Sequence, residues 1–249
     1  MNNKIFSSGD YYNLFYKDKD YQLEAKYIHK KIQEYKLNTN SILELGCGTG
    51  KHAINLANYG YKILGIDKSV SMLKKTIKAQ NLEFQKGDIR ELKLQNKFDC
   101  VISLFHVMSY QITNESLISV FKTAFNNLKK DGLFLFDFWF APAVIHQKPM
   151  VRKKTISTEN NTICRIAEPE LILDRNQVNV KYTYYDFDHS TKSFRITSEL
   201  HQMRYFSIPE LKILANATGF KVLDYEEFLT GFKPSLDTWG VSIILSKNG

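Results

Sequence analysis

Short apolar runs alternate with helically spaced stretches over the first half of the chain. Ser41–Leu45 reads as a buried strand, and Lys51 to about Tyr59 as the helix that follows it. Lys62–Ile66 is a second strand, with Asp67 at its end and a helix from Ser69 to about Ala79. Leu82–Gln85 and Phe98–Leu104 are the third and fourth strands. Asn114–Leu128 reads as a helix capped by Asn114, with no capping box because Leu117 holds the partner position. Leu133–Phe138 is a fifth strand after the turn Lys129-Lys130-Asp131-Gly132. Upstream, Tyr21 to Tyr35 has helical spacing that puts Leu23, Tyr27, Ile28, Ile32 and Tyr35 on one side. This alternation predicts an α/β fold, a parallel sheet with helices on both faces.

The pattern changes between about Pro142 and Tyr205. Val178–Asp188 and Phe194–Leu200 alternate with period two, as antiparallel strands joined near Asp188-His189-Ser190-Thr191 would. Ser207 to Ala217 then reads as a helix, with Ser207 as N-cap, Glu210 completing a capping box and Gly219 just past the end. Lys221–Phe228 and Gly240–Ser246 close the chain as strands. The expected organisation is a core built from residues 1–141 and 206–249, interrupted by an antiparallel β insertion over 142–205. The insertion is expected to cover the substrate mouth or to form a homodimer surface. Its aromatics Tyr182, Tyr184, Tyr185 and Phe187 are expected to be exposed and to contact something.

Ligands of open parallel sheets bind beyond the carboxyl ends of the strands, and the chemistry-bearing residues cluster there. Glu44-Leu45-Gly46 ends the first strand, and Gly48 and Gly50 follow. Such a turn lets a ligand approach bare backbone at the start of the next helix. The spacing is G-x-G-x-G with Lys51 next, unlike the G-x-G-x-x-G of a dinucleotide site. Asp67 ends the second strand, where a carboxylate can accept from both ribose hydroxyls of an adenosine ligand. Gly87-Asp88-Ile89 follows the third, where Asp88 can accept from an adenine amino group.

Composition narrows the setting. The chain has 249 residues, 43% of them apolar, enough for one large domain with an insertion. No apolar run approaches the ~20 residues of a membrane helix, and Met1–Ser8 lacks the apolar stretch of a signal peptide. A cytoplasmic protein with no membrane role is expected. Cys47, Cys100 and Cys164 lack metal-ligand spacing, and no metal is expected. Cys47 and Cys100 read as small buried residues. The net charge of +8 would suit nucleic acid or a phosphorylated substrate. No basic arm accompanies it, so solvated lysines account for much of the charge.

Glu44-Leu45-Gly46-Cys47-Gly48-Thr49-Gly50, Gly65-Ile66-Asp67-Lys68-Ser69, Gly87-Asp88-Ile89-Arg90 and Leu128-Lys129-Lys130-Asp131-Gly132 resemble the successive motifs of class I S-adenosylmethionine-dependent methyltransferases. The resemblance implies a Rossmann-like seven-stranded sheet, mostly parallel with an antiparallel last strand. It implies S-adenosyl-L-methionine as cofactor, with Glu44, Gly46, Cys47, Gly48 and Gly50 on the methionine part. Asp67 would hold the ribose and Asp88 with Ile89 the adenine. Tyr12, Tyr21, Lys68, Met72, Leu104 and Phe105 complete the implied cofactor site.

The fourth strand ends Ser103-Leu104-Phe105-His106, without the Asn/Asp-Pro-Pro-aromatic signature of enzymes that methylate exocyclic base nitrogens. No cysteine stands where a cytosine-C5 enzyme places its nucleophile. Both absences weigh against nucleic acid. The flanks Tyr12-Asn13-Leu14-Phe15-Tyr16, Lys19-Asp20-Tyr21, Phe98–Tyr110 and Phe138-Trp139-Phe140-Ala141-Pro142 resemble N-methyltransferases of nucleotide-linked amino sugars, the desosamine and mycaminose type. Tyr110 replaces a histidine of those enzymes. Their glycine-rich ending is replaced by Lys233-Pro234-Ser235-Leu236-Asp237-Thr238-Trp239-Gly240. An N-methylation of such a sugar is expected. Alternatives are another small amine or hydroxyl acceptor, RNA, or a non-catalytic cofactor-binding protein. Transfer needs an aligned, neutral nucleophile; alignment contributes up to about 7–11 kcal/mol. Tyr110, His106 and Tyr16 are the candidate catalytic residues that could take a proton, with His146 a weaker one. Tyr12, Tyr16, Tyr110, Trp139 and Phe140 are the candidate substrate contacts. Lys148, Arg152 and Arg175 are candidates for a diphosphate.

Overall fold

The computed structural model describes residues 9–248, so the expectations for Met1–Ser8 lie outside the described residues. Helices α1 (Gly9–Phe15) and α2 (Tyr21–Tyr35) precede β1 (Ser41–Leu45), α3 (Lys51–Ala57), β2 (Lys62–Asp67), α4 (Val70–Leu73) and β3 (Leu82–Lys86). Next come β4 (Phe98–Ser103), a 3-10 turn at Val107–Tyr110, α5 (Asn114–Asn127), β5 (Leu128–Trp139) and α6 (Ala141–Gln147). The strands β6 (Arg152–Ser157), β7 (Asn161–Ile172), β8 (Gln177–Asp188) and β9 (Phe194–Arg204) follow. Helix α7 (Ile208–Ala217), β10 (Phe220–Glu227) and β11 (Gly240–Lys247) end the described chain.

Seven strands form one sheet in the order β10-β11-β5-β4-β1-β2-β3. Its β3-to-β5 part is parallel, and β11 runs against β5 and β10. This is the expected Rossmann-like sheet. Alternation along the buried strands sends successive side chains to two different cores. Ile42, Cys100, Ile102, Leu133 and Leu135 face α2 and α3, against Ala25, Ile28, Ile32, Ala53 and Leu56. Leu43, Leu45, Val101, Phe134 and Phe136 face α5 and α7, against Val120, Phe121, Leu211 and Ala215. The strands β6, β7, β8 and β9 form a separate antiparallel sheet in that order. Pro169 interrupts β7 only beyond Ala167, where β6 has ended and one side of β7 needs no donor. Among the described residues no helix is long and apolar enough to cross a membrane.

Five local expectations are corrected. Leu23 is 49% exposed. The buried stripe of α2 instead takes in Glu24 and Lys31, because each finds polar partners: Lys19 and His52 for Glu24, and Glu226 for Lys31 at 2.8 Å. The helix after β2 stops at Leu73; the Thr76 hydroxyl donates back to the Leu73 carbonyl at 2.8 Å and closes it. The N-cap of α5 is Thr113, not Asn114, and Ser116 completes a capping box. Strand β5 starts at Leu128, because the Lys129–Gly132 turn is absorbed as an irregularity between the pairs Phe98↔Leu128 and Cys100↔Leu133. Strands β6 and β7 precede the two that the alternation predicts.

Phe121 is fully buried against Phe134, Phe136 and Phe220. Phe121→Ala should destabilise the fold by about 3–5 kcal/mol, whereas Leu23→Ala should change it by less than about 0.5 kcal/mol. Urea denaturation of the two variants checks the contrast; comparable losses would contradict the placement of Leu23.

Candidate active site

The loop between β1 and α3 is drawn against the end of β2. The Gly46 and Cys47 N–H groups both donate to the Ile66 carbonyl, at 2.8 and 3.0 Å. Gly48 N–H donates to Asp67 Oδ2 at 2.8 Å and Ser69 N–H to Asp67 Oδ1 at 2.7 Å. One carboxylate therefore clamps the loops after β1 and β2 together. Burial raises the Asp67 pKa against those two hydrogen bonds, which favour its charge. Gly48 has a φ of +56°, and a Cβ there would meet nothing within 4 Å, so bare backbone faces open space. Gly50 is different. It is the left-handed N-cap of α3, and a Cβ would come 2.6 Å from Phe84. It shapes the loop from behind and does not line the cavity.

Glu44 is 1% exposed and is also off the cavity wall. One of its oxygens lies 3.8 Å from His52 Nδ1. The other, Oε2, is buried with no hydrogen-bond partner among the described residues. Burial, aided by the Asp67 charge, lifts the Glu44 pKa from near 4.5 to about 8. His52 Nε2 stands 2.6 Å from Glu24 Oε2, and Lys19 pairs with the other Glu24 oxygen. Burial alone would raise the Glu24 pKa; the two partners outweigh it and hold it below the ordinary range.

These elements border a cavity of about 430 Å³. Gly46, Cys47, Gly48, Asp67, Lys68 and Met72 line it from the first two strand ends, and Asp88 and Ile89 from the third. Leu104, Phe105, His106 and Tyr110 line it after β4, and Tyr12, Tyr16, Tyr21 and Trp139 complete the expected set. Phe140 does not reach it; it packs in the core, and its backbone bridges to Phe206. Asp88 is held by Arg90, whose N–H and Nε both lie 2.9 Å from Oδ1. That pairing, with burial opposing it, keeps the Asp88 pKa below its usual range. Burial pushes the Cys47 thiol far up, as expected of a small packed residue.

Two consecutive non-glycine residues after β4, Phe105 and His106, adopt left-handed conformations, with φ of 62° and 60°. Such positions cost of order 1 kcal/mol or more each and persist only when their surroundings enforce them. Asp137, buried at the end of β5, supplies the enforcement. It accepts the His106 N–H at both oxygens, 3.1 and 3.2 Å, and lies 2.8 Å from His106 Nδ1. Burial would raise the Asp137 pKa; His106 more than reverses it. Phe105 is thereby presented to the α1 aromatics, with ring centroids 5.1 Å from Tyr16 and 6.4 Å from Tyr12.

The second sheet closes the far side with Arg165 of β7, Tyr182 and Tyr184 of β8, and Glu199, His201 and Met203 of β9. Tyr184 is buried and Tyr182 half-buried. This corrects the expectation that these aromatics are exposed: they sit on the cavity face, while Phe187 on the opposite face is exposed. The Arg165 guanidinium lies 4.5 Å from the Phe15 ring centroid and 4.9 Å from that of Tyr182. It is the cavity's cation on this sheet; Lys148, Arg152 and Arg175 are exposed and do not line it, nor does His146. Period-two spacing already groups Tyr182 with Tyr184. Only the cross-strand pairs Tyr182↔Glu199 and Val180↔His201 add Glu199 and His201.

Residues 42–132 match the family described as Methyltransferase domain. Over 225 residues the chain is 25% identical to the dTDP-3-amino-3,4,6-trideoxy-alpha-D-glucopyranose N,N-dimethyltransferase of Streptomyces venezuelae, covering 89% of this chain and 92% of that protein. Solved structures share the fold. One is a S-adenosylmethionine-dependent methyltransferase from Clostridium acetobutylicum (TM-score 0.80, 22% identity, 96% of this chain and 97% of that one). Another is the sugar N-methyltransferase KedS8 from Streptoalloteichus (TM-score 0.81, 19% identity, 96% and 93%).

Glu44 has a consequence for stability. Between about pH 4.5 and about pH 8 the folded chain holds a proton there that the unfolded chain releases. Stability therefore falls as pH rises through that window, by up to about 1.4 kcal/mol per unit. Glu44→Gln removes the titration, so its stability relative to the wild type should be higher at pH 8 than at pH 5, by more than about 1 kcal/mol. Urea denaturation at both pH values reads the difference; an unchanged difference would mean Glu44 is ionised throughout.

Proposed function

We propose that this S-adenosylmethionine-dependent methyltransferase acts on the amine of a nucleotide-linked amino sugar. The observation that carries the reading is a single cavity shared by the glycine loop with its carboxylates and by an aromatic acceptor side. The near full-length likeness to the S. venezuelae N,N-dimethyltransferase supports it. In this reading the core, 1–141 and 206–249, holds the cofactor, and the insertion, 142–205, covers the acceptor.

The residues present fit the cofactor. Glu44 Oε2 lacks a partner among the described residues, bare backbone is open at Gly48, and Asp67 and Asp88 follow successive strands. The backbone of Gly46, Cys47 and Gly48 would hold the methionine part, with Glu44 supporting the loop from behind. Asp67 would take the ribose, and Asp88 with Ile89 the adenine. Tyr12, Tyr21, Lys68, Met72, Leu104 and Phe105 would pack around it. Bound there, S-adenosylmethionine supplies a methyl already activated by its sulfonium.

The chain then has three tasks. Tyr12, Tyr16, Tyr110 and Trp139 align the acceptor amine and exclude water. Arg165, held among aromatic rings, offers a fixed charge to a phosphate of the acceptor. Tyr110, Tyr16 and His106 are the groups able to accept a proton at the acceptor end.

Calorimetry with S-adenosylmethionine tests the cofactor half. Asp67→Ala should weaken binding by at least about tenfold, as loss of two charge-assisted hydrogen bonds requires; unchanged affinity would remove the ribose assignment. Incubation with a panel of thymidine-diphosphate amino sugars tests the acceptor half, with a mass gain of one or two methyls expected. Methylation of tRNA and of no sugar nucleotide would overturn it.

A further inference from the structure

The proton that a methylated amine must shed needs a destination, and the second sheet contains one. Tyr110 Oη lies 2.7 Å from His201 Nδ1, and His201 Nε2 lies 3.2 Å from Glu199 Oε2. Glu199 and His201 are two residues apart on β9, each 6% exposed, and both line the cavity. Tyr110 ends the 3-10 turn after β4, which packs against β9. The three side chains thus connect the loop after β4 to the insertion.

The relay geometry calls for one tautomer. His201 carries its hydrogen at Nε2 and donates it to the Glu199 carboxylate, and Nδ1 accepts from the Tyr110 hydroxyl. Burial, with Tyr182, Tyr16 and Glu199 beside it, pushes the Tyr110 phenol well above its ordinary range, so it remains a donor. The Tyr182 ring stands edge-on to the His201 imidazole with centroids 4.9 Å apart. Tyr184 also faces Tyr110, and Arg165 lies over the Tyr182 ring as the nearby cation. Another imidazole–carboxylate pair at the cavity, His106 with Asp137, spends its carboxylate on the His106 backbone N–H and so holds the strained loop.

We propose that Tyr110, His201 and Glu199 form a proton relay for methyl transfer, an inference that rests on the methyltransferase reading above. The acceptor's lone pair forms the new bond to the methyl carbon, and the methyl–sulfur electron pair stays on sulfur. The proton lost from the methylated nitrogen passes to Tyr110 Oη as the hydroxyl proton moves to His201 Nδ1. Glu199 holds the resulting imidazolium until His201 returns a proton to solvent. Tyr110 touches the acceptor; His201 and Glu199 act through it. The relay resets after each transfer, so one device serves a first and a second methylation.

Two measurements on the full chain test this. In nitrogen-15 histidine NMR, neutral His201 should be the Nε2–H tautomer, and Glu199→Gln should weaken that preference. An Nδ1–H tautomer in the wild type would overturn the relay whatever the acceptor. With the thymidine-diphosphate amino sugars, Tyr110→Phe and Glu199→Gln should lower kcat about 100-fold with KM within about twofold. Glu199→Gln should also move the acidic limb of the kcat/KM profile to lower pH, and Glu199→Asp should restore part of kcat. Wild-type kcat in both variants across the pH range would refute it. If no sugar gains mass while the tautomer is as expected, the sugar assignment fails and the relay stands.

Discussion

Parallel strands laid side by side end together, and here the order reverses next to β1. The chain runs outward from β1 to β2 and β3, then crosses to β4 and β5 on the other side. The loops after β1 and β4 diverge at that point and leave a crevice that no side chain of the sheet can fill. Everything else at the site manages the crevice. Asp67 ties one bank by gathering the Gly48 and Ser69 amides. Asp137 ties the other by gripping the His106 amide. Both carboxylates sit at strand ends, so the sheet itself sets the distance between the two banks.

The face of the sheet behind the loop holds more charge than a hydrophobic core normally accepts. Glu24, His52 and Glu44 form one polar seam, and Lys31, Glu226, Tyr27 and Ser242 another. Buried charges are tolerated when paired and hydrogen-bonded, and here α2 is docked by such pairs as much as by Ile28 and Ile32. Glu44 is the exception. Its Oε2, without a partner among the described residues, leaves the seam incomplete just below the glycine loop.

Sequence reasoning reaches some parts of this design and not others, for physical reasons. Gly46, Gly48, Asp67 and Asp88 are legible because local rules place them: glycines where a turn needs positive φ, acids where strands end. Tyr110 and His106 follow from their place after β4. Leu23 misleads because periodicity ranks a leucine above a glutamate, whereas the partners that bury Glu24 and Lys31 are distant in sequence. Thr113 is passed over because its capping partner is a serine, Ser116, rather than Glu or Gln. Arg165, Glu199 and His201 are invisible for a related reason. Their facing depends on strand register in a sheet whose first two strands carry weak alternation, and Tyr110 meets His201 across 91 positions.

Helix α1 belongs to both halves of the cavity. Tyr12 and Tyr16 lie against Phe105, on the sheet side, while Tyr11 and Phe15 pack on Ile156, Ile163 and Tyr184 of the insertion. Tyr11 also hydrogen-bonds Asp186. One short helix is thus fastened to both sheets, so the two walls of the cavity cannot shift independently of each other.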